Sequence, residues 1–449
     1  MQSAEVTVSF GTSGIRGPVG ETVTADLALH IGQAVAVEAD RAVVGRDARV
    51  TGDVLADALS VGLRECGTDV IRVGVAATPT IARSVEWFGA DVGVAITASH
   101  NPAADNGIKL WNESGQAFSP TQNERIERRL DNDDSARATW DSFGSESTDR
   151  SAVERHVSAI TDEFDSMTGL NAVVDLGNGT GRVTVDALYE LGATVNTLDA
   201  QPDGTFPARK SEPNAETLTT LQRTVPALDA DFGIAHDGDS DRMVAVSDTG
   251  EYVPGDVLLA LFARDAVSPG DSVAVPVDTS LLVADVVASA GGTVVYTPVG
   301  DVYIAEAVSQ SGFVFGGEPS GAWIWPDQTL APDANYAALR LADLIRREGP
   351  LSEQVADIAA SRYTTRRLSL PVDDKASAMR AIDGLLSAKY DDIDTTDGVR
   401  VDTDDGWLLV RASGTEPLVR VTAEARQESK ADALLEEVTS LIEKEEITT

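Results

Sequence analysis

The chain has 449 residues, too many for one ordinary domain, and its length indicates roughly three or four domains. It carries 73 acidic against 35 basic residues, for a formal net charge of −38, and this charge argues against nucleic acid or an anionic membrane as a partner. No apolar run approaches the roughly 18 residues of a membrane helix, and residues 1–20 lack a signal-peptide pattern. The one cysteine, Cys66, cannot form an intrachain disulfide, which fits a reducing compartment. We therefore expect a cytoplasmic protein.

The apolar pattern of the first segment predicts alternating strands and a helix. A buried strand at 41–47 precedes a helix at 53–63, and strands follow at 69–75 and 92–97. Residues 131–151 are poor in core side chains, which indicates a loop or a domain boundary.

Two further α/β sets follow, and then the order of elements changes. The second set has strands at 171–175 and 231–235 with a helix at 182–191 between them. The third set has strands at 272–277, 293–297 and 313–315 and helices at 281–289 and 301–310. From about residue 365 the pattern reads strand, helix, two or three strands and a last helix at 429–444, which is an α+β order.

This order predicts an α/β protein of four domains around a central cleft. The first three are expected to be α/β/α units with mixed sheets, and the fourth a smaller C-terminal α+β domain. The predicted domains cover residues 1–150, 151–252, 253–364 and 365–449. Ligands of open α/β sheets gather at the carboxyl ends of strands, and the polar motifs lie at such ends.

A serine follows the strand that ends near Ile96, in the segment 97–102, Thr-Ala-Ser-His-Asn-Pro. On an exposed turn, Ser99 can carry a phosphoryl group if a metal or cations oppose it. The same residues also suit a turn that only satisfies its own backbone. Lys109 could serve as general base and acid if its pKa is lowered, or it could be a surface charge.

Three carboxylates at i, i+2 and i+4, those of Asp237, Asp239 and Asp241, can converge on a hard cation. An EF-hand is disfavoured, since its sixth and twelfth positions would be Arg242 and Asp248 instead of Gly and Glu. Three carboxylates leave positions for waters and a phosphate, which suits Mg²⁺. A solvated acidic loop is the alternative.

Residues 316–321, Gly-Gly-Glu-Pro-Ser-Gly, place a carboxylate and a hydroxyl between glycines. Glu318 and Ser320 can offer an acceptor and a donor to sugar hydroxyls. A tight turn with no ligand is the alternative.

Two segments could bind phosphate. In residues 411–417, Arg-Ala-Ser-Gly-Thr-Glu-Pro, Arg411 can form a bidentate fork, and Ser413, Thr415 and the backbone around Gly414 can form an anion nest. A hairpin-like turn is the alternative. A Gly-rich segment near the N-terminus, residues 10–17, could place Arg16 against phosphate.

Taken together and in this order, the motifs TASHNP, DGDSDR, GEPSG and RASGTEP resemble the α-D-phosphohexomutase superfamily, and the N-terminal FGTSGIRG is similar too. The superfamily includes phosphoglucomutase, phosphomannomutase and phosphoglucosamine mutase. The resemblance spans residues 97–417 and implies four domains around one cleft. It also implies that a phosphoserine donates to a sugar hydroxyl, giving a bisphosphosugar whose other phosphate returns to the serine.

The resemblance implies roles for three groups of residues. The reacting group is Ser99, as the phosphoserine, with Arg16, Lys109 and His100 beside it. The metal group holds Mg²⁺ through Asp237, Asp239, Asp241 and the Ser99 phosphate. The substrate group contacts the sugar and its other phosphate and consists of Arg242, Glu318, Ser320, Arg411, Ser413, Gly414 and Thr415.

One departure from the family pattern bears on the sugar. Many relatives carry His after Gly321, where this chain has Ala322. The Val299–Gly300–Asp301 loop resembles the phosphoglucosamine and archaeal branch, so we expect interconversion of glucosamine 6-phosphate and glucosamine 1-phosphate with a sugar bisphosphate as activator. A phosphomannomutase or phosphoglucomutase is the alternative within the family. A metal-dependent phosphatase and a non-catalytic sugar-phosphate binding protein are alternatives from other classes.

The acidic residues are spread through all segments and are not gathered in one block. This distribution predicts a hydrated surface suited to high salt, and hence a halophilic source, because screening weakens self-repulsion. The same charge would repel a phosphosugar unless the cleft holds a basic cluster or a metal. We expect a monomer or homodimer.

Overall fold

The computed structural model describes residues 10–11, 14–132, 134–359, 363–413 and 418–444, with side chains up to Ile442. Within these residues the strands form one sheet of six strands and three sheets of four. The predicted fold class is confirmed, while the exact domain boundaries stay a prediction. Among the described helices, none is long and apolar enough to cross a membrane.

The first sheet is mixed and has the strand order β1-β5-β4-β2-β3-β6. Its strands are β1 (Ile15–Pro18), β2 (Arg41–Arg46), β3 (Asp69–Val75), β4 (Val92–Ile96), β5 (Asp105–Asn112) and β6 (Glu146–Thr148). Its helices are α1 (Ala25–Ala36), α2 (Gly52–Glu65), α3 (Thr78–Trp87) and α4 (Pro120–Asn132). Strand β5 is antiparallel to β1 and β4, while the others run parallel.

The prediction of a loop over residues 131–151 is wrong in part, because this segment contains strand β6. This strand pairs in parallel with β3 at the sheet edge, and all three of its residues are exposed. Since the strand buries no side chain, it leaves no apolar signal in the sequence.

The second sheet has the order β10-β9-β7-β8, with only β10 antiparallel to its neighbour. Its strands are β7 (Asn171–Asp175), β8 (Thr194–Leu198), β9 (Phe232–His236) and β10 (Met243–Ser247). Its helices are α5 (Ala152–Thr161), α6 (Arg182–Glu190) and α7 (Thr219–Ala227).

The third sheet has the order β12-β11-β13-β14, again with one antiparallel edge strand. Its strands are β11 (Ser272–Pro276), β12 (Thr293–Thr297), β13 (Phe313–Gly317) and β14 (Trp323–Ile324). Its helices are α8 (Gly255–Ala266), α9 (Leu281–Ser289), α10 (Asp301–Val308), α11 (Ala334–Glu348) and α12 (Leu351–Ala359).

The fourth sheet is antiparallel throughout, with the order β15-β18-β17-β16. Its strands are β15 (Thr364–Pro371), β16 (Val399–Thr403), β17 (Gly406–Ala412) and β18 (Leu418–Ala425). Its helices are α13 (Lys375–Ser387) and α14 (Glu428–Lys444). The predicted α+β order of this segment is confirmed.

The second and third sheets share one hydrophobic core, which fixes their loops relative to each other. Phe262 lies 5.2 Å from Trp323 and 5.3 Å from Trp325, both edge-on, at the centre of this core. The Trp323 indole donates to the Met243 carbonyl at 2.9 Å, and the Met243 amide donates to the Gly321 carbonyl at 2.9 Å. The aspartate loop before β10 and the Glu318 loop therefore lie side by side.

Candidate active site

Ser99 lies at the carboxyl end of β4, in a backbone conformation that favours glycine. Its φ is +48°, and its amide donates to Thr97 Oγ1 at 2.9 Å. The predicted exposed turn is wrong, because Ser99 is fully buried. The segment between β8 and β9 of the second sheet packs against Ser99, and Ser211 Oγ in this segment donates to the Ser99 carbonyl at 2.9 Å.

The three aspartates of the DGDSD loop converge on one point beside Ser99. Their ligand oxygens all lie within 4.8 Å of one another, and all three side chains are buried. Ser99 Oγ donates to Asp237 Oδ2 at 2.5 Å and lies 3.5 Å from Asp241 Oδ1. The alternative of a solvated acidic loop is therefore wrong.

The donor set fits a divalent cation. Burial, followed by repulsion from Asp239 and Asp241, raises the pKa of Asp237 well above its usual range. Asp239 Oδ1 is buried, and no described residue offers it a hydrogen bond. Carboxylate oxygens are the ligands that hard cations prefer, so a cation here would satisfy the unpartnered oxygen and remove the repulsion.

Thr78, at the start of α3, orients one of these carboxylates. Its hydroxyl donates to Asp239 Oδ2 at 2.6 Å, and its amide donates to the Asp239 carbonyl at 2.8 Å. Thr78 was not predicted from the sequence. The available signal was Thr78–Pro79, because proline is favoured in the first turn of a helix.

Lys109 is buried and paired with two carboxylates. Its Nζ lies 3.1 Å from Asp241 Oδ2 and 3.1 Å from Asp301 Oδ2. Burial opposes the charged form, but the attraction of Asp301 and then Asp241 outweighs it and raises the pKa of Lys109. The lowered pKa required of a general base is therefore not found, and the surface-charge alternative is also wrong.

His100 lies next to the serine, with Nδ1 3.3 Å from Ser99 Oγ. Burial, followed by the nearby Arg242 and Arg16 charges, lowers the pKa of His100 to about 3. The imidazole is therefore neutral at physiological pH and can offer either a lone pair or one N–H to the serine.

Glu318 directly follows β13 and lines one cleft together with Lys109 and Asp241. Its Oε1 accepts from the Gly300 amide at 2.8 Å, and its Oε2 accepts from Ser320 Oγ at 3.0 Å. Burial, followed by the charge of Asp301, raises the pKa of Glu318 to about 7. The structure thus joins the Glu318 loop to the Val299–Asp301 loop.

One cleft of about 180 Å³ is lined by strand residues of the first and fourth sheets and by residues that flank the strands of the second and third. Its basic members are Arg16, Lys109, Arg242 and Arg411. Its acidic members are Asp241, Asp301 and Glu318. The local basic cluster that a phosphosugar would require is present.

The distal end of the cleft is only partly described. Arg411, at the end of β17, lies 3.3 Å from Asp397 Oδ2, and the neighbouring Ser413 is buried. Gly414 and Thr415 lie outside the described residues. The roles assigned to the site residues stay predictions, although Asp241 and Arg411 line one cleft and Ser99 Oγ lies 3.5 Å from Asp241 Oδ1.

Ala322, at the position where the family resemblance implies His, also lines the cleft. Its carbonyl accepts from the Glu318 amide at 2.9 Å, and it pairs with Arg242 across an isolated bridge. The backbone contacts of the loop therefore do not need an imidazole.

Four family profiles match the chain consecutively. They describe the phosphoglucomutase/phosphomannomutase alpha/beta/alpha domain I over residues 7–137, domain II over 154–250 and domain III over 254–361. The C-terminal domain of the same family matches residues 368–441.

Curated relatives and solved structures agree with these profiles. A "probable phosphoglucosamine mutase" of Methanopyrus kandleri is 46% identical over 441 residues, covering 96% of this chain and 97% of the relative. One of Methanosarcina acetivorans is 44% identical over 431 residues, covering 95% and 97%. The crystal structure of a phosphoglucomutase/phosphomannomutase family protein from Burkholderia thailandensis matches with a TM-score of 0.87 at 28% identity, covering 98% of this chain and 97% of the other. The chain therefore belongs to the phosphoglucomutase/phosphomannomutase family, in the α-D-phosphohexomutase superfamily of phosphosugar-isomerising enzymes.

Proposed function

We propose that this enzyme interconverts glucosamine 6-phosphate and glucosamine 1-phosphate through a phosphorylated Ser99. One observation carries the proposal: Ser99 Oγ lies 2.5 Å from Asp237 Oδ2, beside a cleft lined by four basic side chains. The choice of sugar is supported by the Methanopyrus and Methanosarcina relatives, which are named for glucosamine phosphate.

The transfer exchanges one phosphorus–oxygen bond for another. The bond between Ser99 Oγ and phosphorus breaks as the free sugar hydroxyl oxygen bonds to phosphorus. In net terms, the proton of that hydroxyl passes to Ser99 Oγ, which is left as a free hydroxyl. The bisphosphosugar then reorients in the cleft, and its other phosphate is transferred to Ser99 Oγ. Such transfers depend mainly on placement and on charge stabilisation, which the converging loops would supply.

Asp237, Asp239 and Asp241 would hold Mg²⁺, which when bound neutralises negative charge on the transferring group. Lys109 stays protonated between Asp241 and Asp301, so it acts as a fixed positive charge near Ser99. Neutral His100 can donate to or accept from the serine oxygen without adding charge.

Arg411, with Ser413, Gly414 and Thr415, would anchor the phosphate that is not being transferred. A guanidinium suits this task because its fork can grip either phosphate of the intermediate in the same way. A sugar bisphosphate would act as activator by phosphorylating Ser99 before the first turnover.

Phosphorus NMR on glucosamine, mannose and glucose 6-phosphates, with Mg²⁺ in high salt, tests this proposal. We expect the 1-phosphate signal to appear fastest with glucosamine and to require a trace of sugar bisphosphate. Faster turnover of mannose 6-phosphate or glucose 6-phosphate would indicate a phosphomannomutase or a phosphoglucomutase instead. Release of inorganic phosphate without the 1-phosphate would indicate a phosphatase, and no change with any sugar would indicate a binding protein.

A further inference from the structure

Arg49 is a fully buried arginine that the proposed chemistry does not use. Its guanidinium has five N–H groups, and the structure gives each of them an acceptor. Nε donates to Asp47 Oδ2 at 2.9 Å. The other four donate to backbone carbonyls, those of Ser99, Asn101, Pro102 and Asp105, at 2.9, 2.7, 2.5 and 2.9 Å.

Three of these carbonyls belong to the turn between β4 and β5 that carries Ser99, and the fourth belongs to Asp105, the first residue of β5. Carbonyl oxygens that face one point repel one another, and a buried carbonyl without a donor destabilises the fold. Ser99 also has a positive φ, which a non-glycine residue keeps only when its surroundings enforce it. The Arg49 guanidinium supplies the charge and the donors that hold this conformation.

A second contact holds the same point from the other unit. The Ser99 carbonyl that accepts from Arg49 also accepts from Ser211 Oγ at 2.9 Å. The Phe206 ring lies 5.0 Å from the Arg49 guanidinium carbon, and Phe206 also has a positive φ, of +47°. Residues 206–211 therefore close over Arg49 and the nucleophile turn together.

The counter-ion of Arg49 connects this turn with the aspartate site. Asp47 Oδ1 accepts from the Arg49 amide at 2.9 Å, and Asp47 Oδ2 lies 2.8 Å from Thr97 Oγ1. Thr97 Oγ1 also lies 3.0 Å from Asp239 Oδ2 and accepts from the Ser99 amide. A displacement of Arg49 would thus move both the serine and an aspartate of the trio.

We propose that Arg49 is a positioning residue for phosphoryl transfer: it fixes the backbone of residues 99–105 and thereby holds Ser99 Oγ against the aspartates. The proposal rests on the proposed function, in which Ser99 carries the phosphoryl group. A lysine cannot replace this arginine, because its ammonium has three donors and cannot reach four carbonyls and a carboxylate in one plane.

The test is Arg49→Lys in the full-length protein, with Arg41→Lys as the control. Arg41 lies exposed at the start of β2, the strand that precedes Arg49, and donates to the Phe88 carbonyl at 3.2 Å. With glucose 1,6-bisphosphate and Mg²⁺, intact mass gives the rate at which Ser99 gains a phosphoryl group. We expect Arg49→Lys to lower this rate about 100-fold, the scale of a 1 Å misplacement, and Arg41→Lys to leave it unchanged.

Two further readouts separate positioning from general destabilisation. We expect KM for the sugar phosphate to change by less than about threefold in Arg49→Lys, because the lost interaction acts in the transfer and not in binding. Hydrogen exchange at residues 99–105 should accelerate at least about tenfold, with the fourth sheet unaffected. A folded Arg49→Lys protein with wild-type phosphorylation rate, or with unchanged exchange at 99–105, would overturn the proposal.

Ser211→Ala decides the question if Arg49→Lys does not fold. It removes the second donor to the Ser99 carbonyl and leaves the buried charges intact, so we expect phosphorylation to slow by about 3- to 10-fold, the worth of one hydrogen bond. An unchanged rate in Ser211→Ala would then contradict the proposal. Failure of the proposed function would look different: the wild-type protein would isomerise no hexose phosphate, while hydrogen exchange would still test the hold of Arg49 on the turn.

Discussion

The two ends of the cleft are built differently. At the Ser99 end, the serine, the aspartates and Lys109 are all buried and hydrogen-bonded across two units. At the other end, the Arg411 side chain is 18% exposed and its bond to Asp397 is 3.3 Å long. If the proposed roles hold, the end at which the bond breaks is held by many buried contacts. The end proposed to anchor either phosphate of a bisphosphosugar is held by fewer.

The anchoring end is carried by the fourth sheet, which attaches to the third through buried polar contacts. Arg400 donates to the Val277 carbonyl and lies 4.6 Å from the Trp407 ring centre. Glu424 accepts from the Leu281 amide at the start of α9, at 2.8 Å. The position of Arg411 therefore depends on one interface, while that of Ser99 depends on contacts from several segments.

The largest expected effect is at the Ser99 end, in Ser99→Ala. Loss of the phosphoryl carrier should lower kcat on the order of 10⁴-fold or more, since no other group can take its part. A coupled isomerisation assay measures this, with Ser114→Ala, an exposed serine of the same unit, as the control. A Ser99→Ala enzyme that keeps wild-type activity would rule out the mechanism.

Asp237→Asn probes the metal at the same end. We expect affinity for Mg²⁺, measured by calorimetry, to fall by more than about 100-fold, beyond the usual loss for an outer contact. Because the folded-state pKa of Asp237 is raised, the metal-free wild type loses stability as pH rises from about 4 toward that pKa, and Asp237→Asn should lack this loss.

The exposed Asp131→Asn is the matched control for the metal experiment. It should keep both the Mg²⁺ affinity and the pH profile of the wild type. Unchanged Mg²⁺ affinity in Asp237→Asn would show that the aspartate trio is not the metal site.

Glu318→Gln tests whether the side chain of Glu318, in the middle of the cleft, makes the stability of the protein depend on pH. The pKa of Glu318 is about 7 in the folded protein against 4.5 as its usual value, so the neutral form is favoured by folding. This contribution is complete below about pH 4.5 and is lost as pH rises to about 7, a change on the order of 3 kcal/mol. The stability of Glu318→Gln relative to wild type, from urea unfolding, should rise by this amount across the window, and a flat difference would contradict the burial of a proton there.

The smallest effect is expected at the Arg411 end, in Arg411→Lys. The variant keeps the charge but loses the fork, so KM should rise about tenfold, with kcat changed by less than about threefold. Steady-state kinetics measure this, with Arg380→Lys on the exposed face of α13 as the control. A loss confined to kcat would mean that Arg411 acts on the phosphate that is being transferred, and it would contradict the assignment of Arg411 to the phosphate that is not transferred.

Periodicity predicted the elements that bury apolar side chains. Strands such as 171–175 and 293–297 agree with β7 and β12 because each is a short apolar run. Strand β5, Asp105–Asn112, was not predicted, since its sequence DNGIKLWN mixes polar and apolar residues although six of its eight residues are buried.

The motifs predicted which side chains would meet, but not their surroundings. Arg49 and Ser211, which lies 112 residues away along the chain, both donate to the carbonyl of the buried Ser99. The charge of Lys109 is fixed by Asp301, 192 residues away. Local spacing carries no signal for partners so distant, which is why the predicted exposure of Ser99 was wrong and why neither the general-base condition nor the surface-charge alternative for Lys109 anticipated its buried ion pairs.

Several predictions concern properties outside the fold and remain predictions. They are the halophilic source, the cytoplasmic location and the monomeric or homodimeric state. Thermal melting from low to molar salt checks the first: stability should rise with salt because screening reduces repulsion within a chain of net charge −38. Stability that falls with salt would count against it.

The most direct measurement of the central claim is the fate of a labelled phosphoryl group on Ser99. Enzyme phosphorylated with a radiolabelled sugar bisphosphate, freed of ligand and mixed with Mg²⁺ and unlabelled glucosamine 6-phosphate, should pass its label to the sugar within one turnover. Label that stays on the protein, or that appears only as inorganic phosphate, would contradict a mutase that works through Ser99.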